Sequence, residues 1–255
     1  MKVSRVHIAN AADEHAIQTA IDTVEPPAAL GEWFRSYGNS HKSRLAIDLH
    51  LLERLRTPNA EVVEFGAVPP ILTHALTARS ISVTAVDIDP NRFAESFNRI
   101  PANVVRHDIE RTSLPFDDES FDIALFNELF EHLRINPIFT LSEVLRILKP
   151  GGIILMSTPN LRSLNGLKSF LLHNRGAWCA PDVYDEYSKL DTLGHMGHVR
   201  EYTTREVEEF LTRIGFEPME RIYRDKKRRR ADPLFALFPG LSPFVTYVAR
   251  RPKTR

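Results

Sequence analysis

The stretch from Glu61 to Pro90 constrains the fold of this chain more than any other. Its parts are, in order, a segment over 62–65 that is typical of a buried strand, a turn at Gly66, a helix that opens at Pro69 and Pro70, and a second strand-like segment over 81–86 that ends on Asp87. This order predicts a strand, helix and parallel strand, and the two strand ends form the edge where an open α/β sheet binds nucleotide-like ligands. Backbone N–H groups after Gly66 can meet a polar ligand, and the Asp87 carboxylate can accept ribose hydroxyls.

Alternation of strands and helices continues to residue 157 and predicts a parallel, doubly wound α/β sheet. Further strands are predicted at 103–106, 120–126 and 152–157, and further helices at 13–24, 31–56, 91–98, 137–149 and 203–214. Thr203 and Glu206 form a capping-box pattern at the start of the last helix, and Gly215 ends it. The runs 218–223 and 244–249 have no helix between them and predict an antiparallel pair. We expect a Rossmann-like sheet of seven strands.

The bulk composition indicates one globular domain. The chain has 255 residues, of which 43% are hydrophobic, and its 33 basic and 33 acidic side chains balance, so no global field attracts nucleic acid or membrane. The single cysteine, Cys179, excludes an intramolecular disulfide and fits a reducing compartment. No apolar run reaches the length of a membrane span, and we expect a cytoplasmic protein. We divide it into an N-terminal segment, 1–35, and a main domain, 36–255.

Residues 159–202 interrupt the alternating pattern with a polar and aromatic stretch that contains one short helical run, 164–172. An insertion of this length in a compact domain is usually functional. Its position after a predicted strand places it over the ligand edge of the sheet. We therefore expect a lid that covers an acceptor, with residues 174–199 ordering when substrate binds.

Three segments together resemble the class I methyltransferases that use S-adenosylmethionine (SAM), and especially their small-molecule group. The segments are LPFDDESFDIALFNELFEHL at 114–133, LKPGG at 148–152 and REYTTREVEEFLTRIGFEP at 200–218. The similar group includes ubiquinone-pathway O-methyltransferases and glycan-modifying enzymes. The resemblance covers about residues 35–250 and implies a C-terminal antiparallel strand pair.

The resemblance assigns the SAM-binding residues by position. Glu64 matches the acid of the first motif, and Gly66 and Ala67 form the turn that faces the methionine half of SAM. Asp87 matches the ribose-binding acid. The remaining assignments are Ile88 against adenine, Asp108 at the adenine amino group with Ile109 beside it, and Asn127 at the aminocarboxyl end.

The first motif departs from the family pattern. The family reads acid-x-Gly-x-Gly-x-Gly, whereas this chain keeps only Gly66 and has Val68 and Pro70 at the later glycine positions. Because glycine permits close backbone approach, we expect Val68 and Pro70 to narrow the cleft or alter the loop path. The preferred interpretation is retained SAM binding, similar to polysaccharide-associated relatives, and the alternative is a catalytically silent SAM-fold binding protein.

A cluster of acids and histidines follows the predicted strand 120–126. Glu128, Glu131 and His132 have the i, i+3 and i+4 spacing of one helical face, and His198 comes from the lid side. His132 and His198 are the candidate acid–base groups, with His195 as a spare. The four residues Glu128, Glu131, His132 and His198 also resemble the metal site of small-RNA 2′-O-methyltransferases and could hold Mg²⁺, Mn²⁺ or Zn²⁺. Many relatives with this segment are metal-free.

The preferred function is O-methylation of a small molecule, such as a sugar or a glycan-linked metabolite. A metal-assisted RNA 2′-O-methyltransferase is the alternative, disfavoured because no RNA-binding module accompanies the basic run 224–230. That run is interpreted as a solvated loop, or else as a transient contact with a substrate at a membrane surface. Tyr37, His41 and Arg44 are interpreted as solvated rather than ligand-binding. The sequence does not fix the oligomeric state.

Overall fold

A computed structural model describes residues 1–6, 9–193, 197–224, 235 and 237–253. Its central feature is one eight-stranded sheet. The strands are β1 (Lys2–Val6), β2 (Val62–Phe65), β3 (Val83–Asp87), β4 (Asn103–Arg106), β5 (Phe121–Asn127), β6 (Leu148–Pro159), β7 (Glu217–Arg224) and β8 (Phe244–Arg250). The strand order β1-β7-β8-β6-β5-β2-β3-β4 has β2 and β5 near the middle, where the direction of winding reverses.

The doubly wound sheet and the antiparallel pair are confirmed. Strands β6, β5, β2, β3 and β4 are parallel neighbours, and β8 runs antiparallel between β6 and β7. The predicted strand number is wrong by one, because β1 adds to the edge of the sheet parallel to β7. A short edge strand with Lys2, Ser4 and Arg5 among its residues has no buried apolar run, and so gave no strand signal.

Helices cover both faces of the sheet, as a parallel sheet requires. They are α1 (Ala11–Thr23), α2 (Gly31–Leu55), α3 (Ile71–Ala78), α4 (Ala94–Phe97), α5 (Pro137–Ile147), α6 (Leu164–His173), α7 (Val183–Leu193) and α8 (Thr204–Ile214). One core cluster joins α1, α2 and α3 to the sheet, with Leu49 and Ile71 at its centre. The other lies on the opposite face under α5 and α8, with Val144 and Leu211 fully buried.

Local signals fixed several element bounds. The predicted strands 62–65 and 103–106 match β2 and β4, and the Thr203–Glu206 capping box opens α8, which Gly215 ends with a φ of +117°. The helix predicted at 137–149 ends earlier, because Leu148 already pairs with Phe121 of β5 and begins β6.

The insertion after β6 is closed at its base by a parallel bridge between Asn160 and Tyr202. It contains α6, which matches the predicted run 164–172, and α7, which had no clear sequence signal. Across the described part of the chain, no helix combines the length and apolar character that a bilayer span needs. The proposed division at residue 35 stays a prediction. The N-terminal residues pack onto the same fold, since β1 pairs with β7 and α1 packs against α2 and α3.

Candidate functional site

The turn after β2 has the backbone conformation that a ligand-binding turn needs. Gly66 has a φ of +71°, where a side chain would be strained, and its N–H donates to the carbonyl of Val86 at 2.9 Å. Ala67, beside it, is buried. Glu64, at the end of β2, is also buried and accepts a hydrogen bond from the Thr73 hydroxyl at 2.7 Å. Burial raises the pKa of Glu64 to about 8, so this acid is protonated at neutral pH.

Asp87 ends β3 next to this turn. Its carboxylate accepts the N–H of Val68 at 3.0 Å and that of Asp89 at 2.9 Å, one on each oxygen. Burial raises its pKa despite these two bonds. The Val68 bond is made by the backbone, so the expectation that the Val68 and Pro70 side chains narrow the cleft or alter the loop path stays a prediction. Each carboxylate oxygen keeps a lone pair for a further donor such as a ribose hydroxyl.

The other predicted SAM contacts lie at neighbouring strand ends. Ile88 follows β3 and is 41% exposed, which leaves an apolar surface for a ring to cover. Asp108 follows β4, and its carboxylate accepts the N–H of Glu110 and pairs with Arg111 at 3.0 Å. Ile109 is half-buried beside it. These positions agree with the assigned order along the sheet edge, although their roles stay predictions.

Asn127 tests whether the edge fits a polar ligand. Both polar atoms of its side chain are buried at the end of β5, and neither has a hydrogen-bond partner among the residues described. Buried amide groups without partners are rare and costly in folded proteins. An amino or carboxylate group bound there would satisfy them. The residues at this edge therefore fit the aminocarboxyl end of SAM.

Glu128, directly after β5, belongs to a buried ion network. It has a φ of +50°, and its carboxylate accepts hydrogen bonds from Ser157 at 2.8 Å and Arg224 at 2.7 Å. Arg224 is 3% exposed and also bonds Asp48 of α2 at 3.0 Å. Burial acts to raise the pKa of Glu128, but Arg224 and Arg44 outweigh it and the pKa is lowered. Glu128 is thus held as a carboxylate by cations.

Glu131, His132 and His198 form a second group. Their potential ligand atoms all lie within 4.8 Å of one another. Glu131 has no exposed surface, and neither carboxylate oxygen makes a hydrogen bond of good geometry in the described ranges, although the Thr158 hydroxyl and the Glu131 N–H are close enough to favour its charged form. Burial, followed by the nearby charge of Glu128, raises its pKa well above the usual value. Such a buried acid is either neutral or compensated by a bound cation.

His198 reaches this group because the lid is bonded to the sheet edge. The N–H of Val199 donates to the carbonyl of Glu131 at 2.8 Å, and Glu186 of α7 accepts the N–H of His198 at 2.7 Å. The His198 Nδ1 atom is buried and lacks a hydrogen-bond partner within the described chain, with the nearest Glu201 oxygen 4.0 Å away. Burial lowers the pKa of His198, although Glu186 and Glu128 act to raise it. The imidazole is therefore neutral at neutral pH.

The helical spacing predicted for this cluster is wrong. Only a 3₁₀ turn forms, over Phe130–His132, and Glu128 has a left-handed backbone conformation before it. The cation Arg224 draws the Glu128 carboxylate into the ion network, so the structure does not bring it into the group of Glu131, His132 and His198. His195 lies outside the described residues.

Arg44 is not the solvated residue expected. Its guanidinium donates to the Tyr37 hydroxyl at 2.9 Å, while its Nε is buried and has no hydrogen-bond partner in the part of the chain described. Burial acts to lower the pKa of Arg44, but Tyr37, Glu128 and Asp48 act to raise it and outweigh the burial. The guanidinium therefore stays protonated. Tyr37 stacks on His41 with 4.2 Å between ring centroids.

Sequence reasoning missed Asp48 and Arg224. Asp48 carried a usable signal, since it lies between Leu45 and Leu49 on the apolar face of a predicted helix, where an unpaired acid is unfavourable. Arg224 carried none, because it reads as the first residue of a basic run. Its burial follows from its position at the end of β7.

Residues 63–156 match the family model for a methyltransferase domain. Over these residues the chain is similar to methyltransferase domains, and we call 63–156 the methyltransferase domain for that likeness. It spans β2 to β6, apart from the first residue of β2 and the last residues of β6, and contains every predicted SAM residue. The sheet around the methyltransferase domain has the parallel order and the C-terminal antiparallel pair that the resemblance to class I SAM-dependent enzymes implies.

Known relatives agree with this domain. Malonyl-acyl-carrier protein O-methyltransferase 1 of Coxiella burnetii is 32% identical over 155 residues, which cover 60% of this chain and 53% of the relative. The chain spans about half the length of the curated relatives it matches.

Solved structures extend the likeness to the fold around the methyltransferase domain. A SAM-dependent methyltransferase from Thermotoga maritima, described as a possible histamine N-methyltransferase, has a TM-score of 0.57 at 19% identity, and the match covers 88% of this chain and 97% of that one. The 4+2-cyclase SpnF has a TM-score of 0.59 at 16% identity, covering 83% and 82%. At these identities the likeness concerns the fold alone.

Proposed function

We propose that the protein methylates an oxygen of a small-molecule acceptor, with SAM as the methyl donor. The observation that carries this proposal is the group of Glu131, His132 and His198, of which the first two lie in the turn that follows β5. Bound SAM would supply an electrophilic methyl group. The task of the chain is then to hold the acceptor in line with it, exclude water and accept the hydroxyl proton.

His198 is the preferred proton acceptor. Its imidazole is neutral, so one of its two ring nitrogens has a lone pair that can accept a proton. Its buried Nδ1 atom makes no hydrogen bond to the described residues that would fix which nitrogen this is. The His132 ring lies 4.8 Å away and perpendicular to it, which makes His132 the second candidate. An imidazole near neutrality is well matched to an alcohol proton that leaves as the methyl group transfers.

The same three residues fit a divalent cation. Glu131 has two buried carboxylate oxygens without a hydrogen bond of good geometry in the described chain, and two imidazoles stand beside it. A cation held by Glu131, His132 and His198 would lower the pKa of an acceptor hydroxyl. Two nitrogen donors and one oxygen donor favour Mn²⁺ or Zn²⁺ over Mg²⁺. Glu128 is not one of the proposed ligands, because its carboxylate is paired with Arg224.

Two features support an oxygen acceptor. An imidazole can serve as the general base that a hydroxyl requires, and one relative at 32% identity is named an O-methyltransferase. A sugar or glycan-linked metabolite remains the preferred acceptor class, because it offers hydroxyls for the histidines and needs no nucleic-acid groove. The alternative acceptor, an RNA 2′-hydroxyl, would use the same cation site with a longer, charged substrate.

A silent or non-transferring protein is the competing hypothesis. The similar fold of SpnF, which is named a cyclase, illustrates that this architecture does not fix the reaction. The first motif of the present chain has lost two glycines, which would reduce SAM affinity most directly. Calorimetry with SAM and its demethylated product tests the silent form of this hypothesis, because a folded protein that has lost the cofactor site would bind neither ligand. Transfer of a labelled methyl group tests the non-transferring form, since such a protein could bind SAM without methylating an acceptor.

A chelation experiment separates the metal and the base within the preferred function. Candidate hydroxyl acceptors are incubated with labelled SAM before and after exhaustive chelation, and then with Mn²⁺, Zn²⁺ or Mg²⁺ restored. Activity that survives chelation supports His198 alone, whereas activity that returns with one ion supports the cation site. Steep salt dependence of acceptor binding would favour RNA over a neutral sugar.

A further inference from the structure

Helix α6 buries small residues and exposes large apolar ones, which is the reverse of an ordinary amphipathic helix. Its buried residues are the small ones, Gly166 and Ser169. Its large apolar side chains face outward, with Phe170 62% exposed, Leu171 74% exposed and Leu172 71% exposed. Helices of soluble proteins normally direct such residues to the core. A group of exposed apolar side chains of this kind marks an interaction surface.

The outward orientation is fixed by close packing. A Cβ atom on Gly166 would lie 1.8 Å from the carbonyl oxygen of Leu161, so only glycine fits against the preceding loop. Ser163 caps the start of α6, and the Ser169 hydroxyl donates to the carbonyl of Ala177 at 2.7 Å. Rotation of the helix to bury Phe170 would break each of these contacts. The packing of α6 in the lid therefore fixes the outward orientation of these apolar side chains.

The sequence on both sides of the exposed apolar residues carries basic groups and no acids. Residues 161–181 contain no aspartate or glutamate. Arg162, Lys168, His173 and Arg175 in this stretch are all exposed. The surface thus combines protruding apolar side chains with a local positive charge, on a chain whose total charge is zero. We call residues 167–175 the α6 tip.

We propose that the α6 tip docks on the surface of an anionic lipid bilayer. Phe170 and Leu171 would enter the boundary between headgroups and acyl chains, and Lys168 and Arg175 would meet the lipid phosphates. Interfacial helices bind in this way, through apolar insertion together with attraction of basic residues to anionic lipids. A second copy of the chain is a poorer occupant, because it would bring a second set of the same cations close to the first.

Vesicle co-sedimentation with the full chain tests this proposal. We expect binding to vesicles of phosphatidylcholine and phosphatidylglycerol at about 7:3, and little binding to phosphatidylcholine alone. The variant F170S/L171S should bind about tenfold or more weakly, since two apolar side chains no longer insert. The matched control is I135S/I138S, because Ile135 and Ile138 are 53% and 62% exposed and lie outside α6. This control should bind like the unmodified protein.

Charge is tested separately with K168Q/R175Q, which should lose about tenfold or more of its binding to the anionic vesicles. Circular dichroism confirms that each variant is folded. Equal binding of the unmodified chain and F170S/L171S would overturn the proposal and assign any attraction to the basic run 224–230. A dimer in sedimentation equilibrium that F170S/L171S abolishes, without vesicle binding, would assign the tip to self-association. SAM calorimetry is independent of these results, so failure here leaves the proposed reaction standing.

Discussion

The imidazole of His198 stands at right angles to that of His132, with 4.8 Å between the ring centroids. The two rings come from different parts of the fold, one from the turn after β5 and one from the end of the lid insertion. They meet because Val199 bonds the backbone of Glu131 and Glu186 holds the His198 N–H. The lid and the sheet edge thus contribute jointly to one group of candidate catalytic side chains.

Replacement of His198 by alanine should impair the chemical step. We expect kcat to fall by about 10²- to 10⁴-fold, the usual contribution of a general base, while SAM affinity is unchanged. The measurement combines steady-state kinetics on an identified acceptor with SAM calorimetry. His173→Ala is the control, since this exposed histidine also lies in the lid. A kcat unaltered by His198→Ala would transfer the role of base to His132.

Replacement of Asp87 by asparagine should weaken SAM binding. The change keeps the shape of the side chain but removes the charge that is expected to accept the ribose hydroxyls. We expect a loss of about 1.5–3 kcal/mol, the scale of hydrogen bonds to a charged group. Calorimetry of SAM is the measurement, and Asp117→Asn, at an exposed loop position, is the control. Equal affinity of the two variants would remove Asp87 from the cofactor site.

Replacement of Arg224 by methionine should destabilise the fold. Asp48 and Glu128 would remain as buried carboxylates without their shared cation, and removal of one partner of a buried pair costs about 3–5 kcal/mol. Urea denaturation measures the change. The matched control is Arg250→Met, whose partner Glu217 is 49% exposed, and we expect a loss of about 1 kcal/mol or less there.

A second variant separates the ion network from the packing of Arg224. If the charge of Asp48 causes part of the loss, Asp48→Asn in the Arg224→Met background should recover stability rather than lose more. Strict additivity of the two changes would show that the two side chains are not coupled. The cycle therefore tests the network without reference to any enzymatic activity.

Elements with strong local signals were predictable from the sequence. The run Val62–Phe65 predicted the bounds of β2 correctly, because β-branched and aromatic residues directly before a glycine turn are typical of a strand. The capping box at Thr203 fixed the start of α8 in the same way. Strand β1 was not predictable, because an edge strand is stabilised by its neighbour rather than by its own apolar pattern.

The candidate site was predictable in position but not in pairing. Strand ends placed Glu64, Asp87 and Asn127 at one edge, since parallel strands have a common direction. The partners of Glu128 depended on contacts across the chain, for Arg224 lies 96 residues away in sequence. No spacing rule relates such residues. Helical periodicity was therefore assumed for Glu128, Glu131 and His132, where a short turn forms instead.

The stability of the protein should depend on pH through Glu64. In the unfolded chain this acid has a pKa near 4.5, and burial raises it to about 8 in the folded protein. Below pH 4.5 both states hold the proton, so Glu64 adds no pH dependence. Between pH 4.5 and 8 the unfolded state releases the proton while the folded state retains it, so stability is lost as pH rises.

Replacement of Glu64 by glutamine should remove this dependence, because the amide cannot ionise and can still accept the hydrogen bond from Thr73. The free energy of unfolding of Glu64→Gln, relative to the unmodified chain, should therefore increase from pH 5 to pH 8, by an amount on the order of a few kcal/mol. Urea denaturation at a series of pH values gives both curves. Glu95→Gln, at an exposed position on α4, should leave the curve of the unmodified protein unchanged. Parallel curves for Glu64→Gln and the unmodified chain would mean that Glu64 is ionised in the folded protein, and the Glu64 carboxylate would then require a cation or further donors that the present hydrogen bonds do not supply.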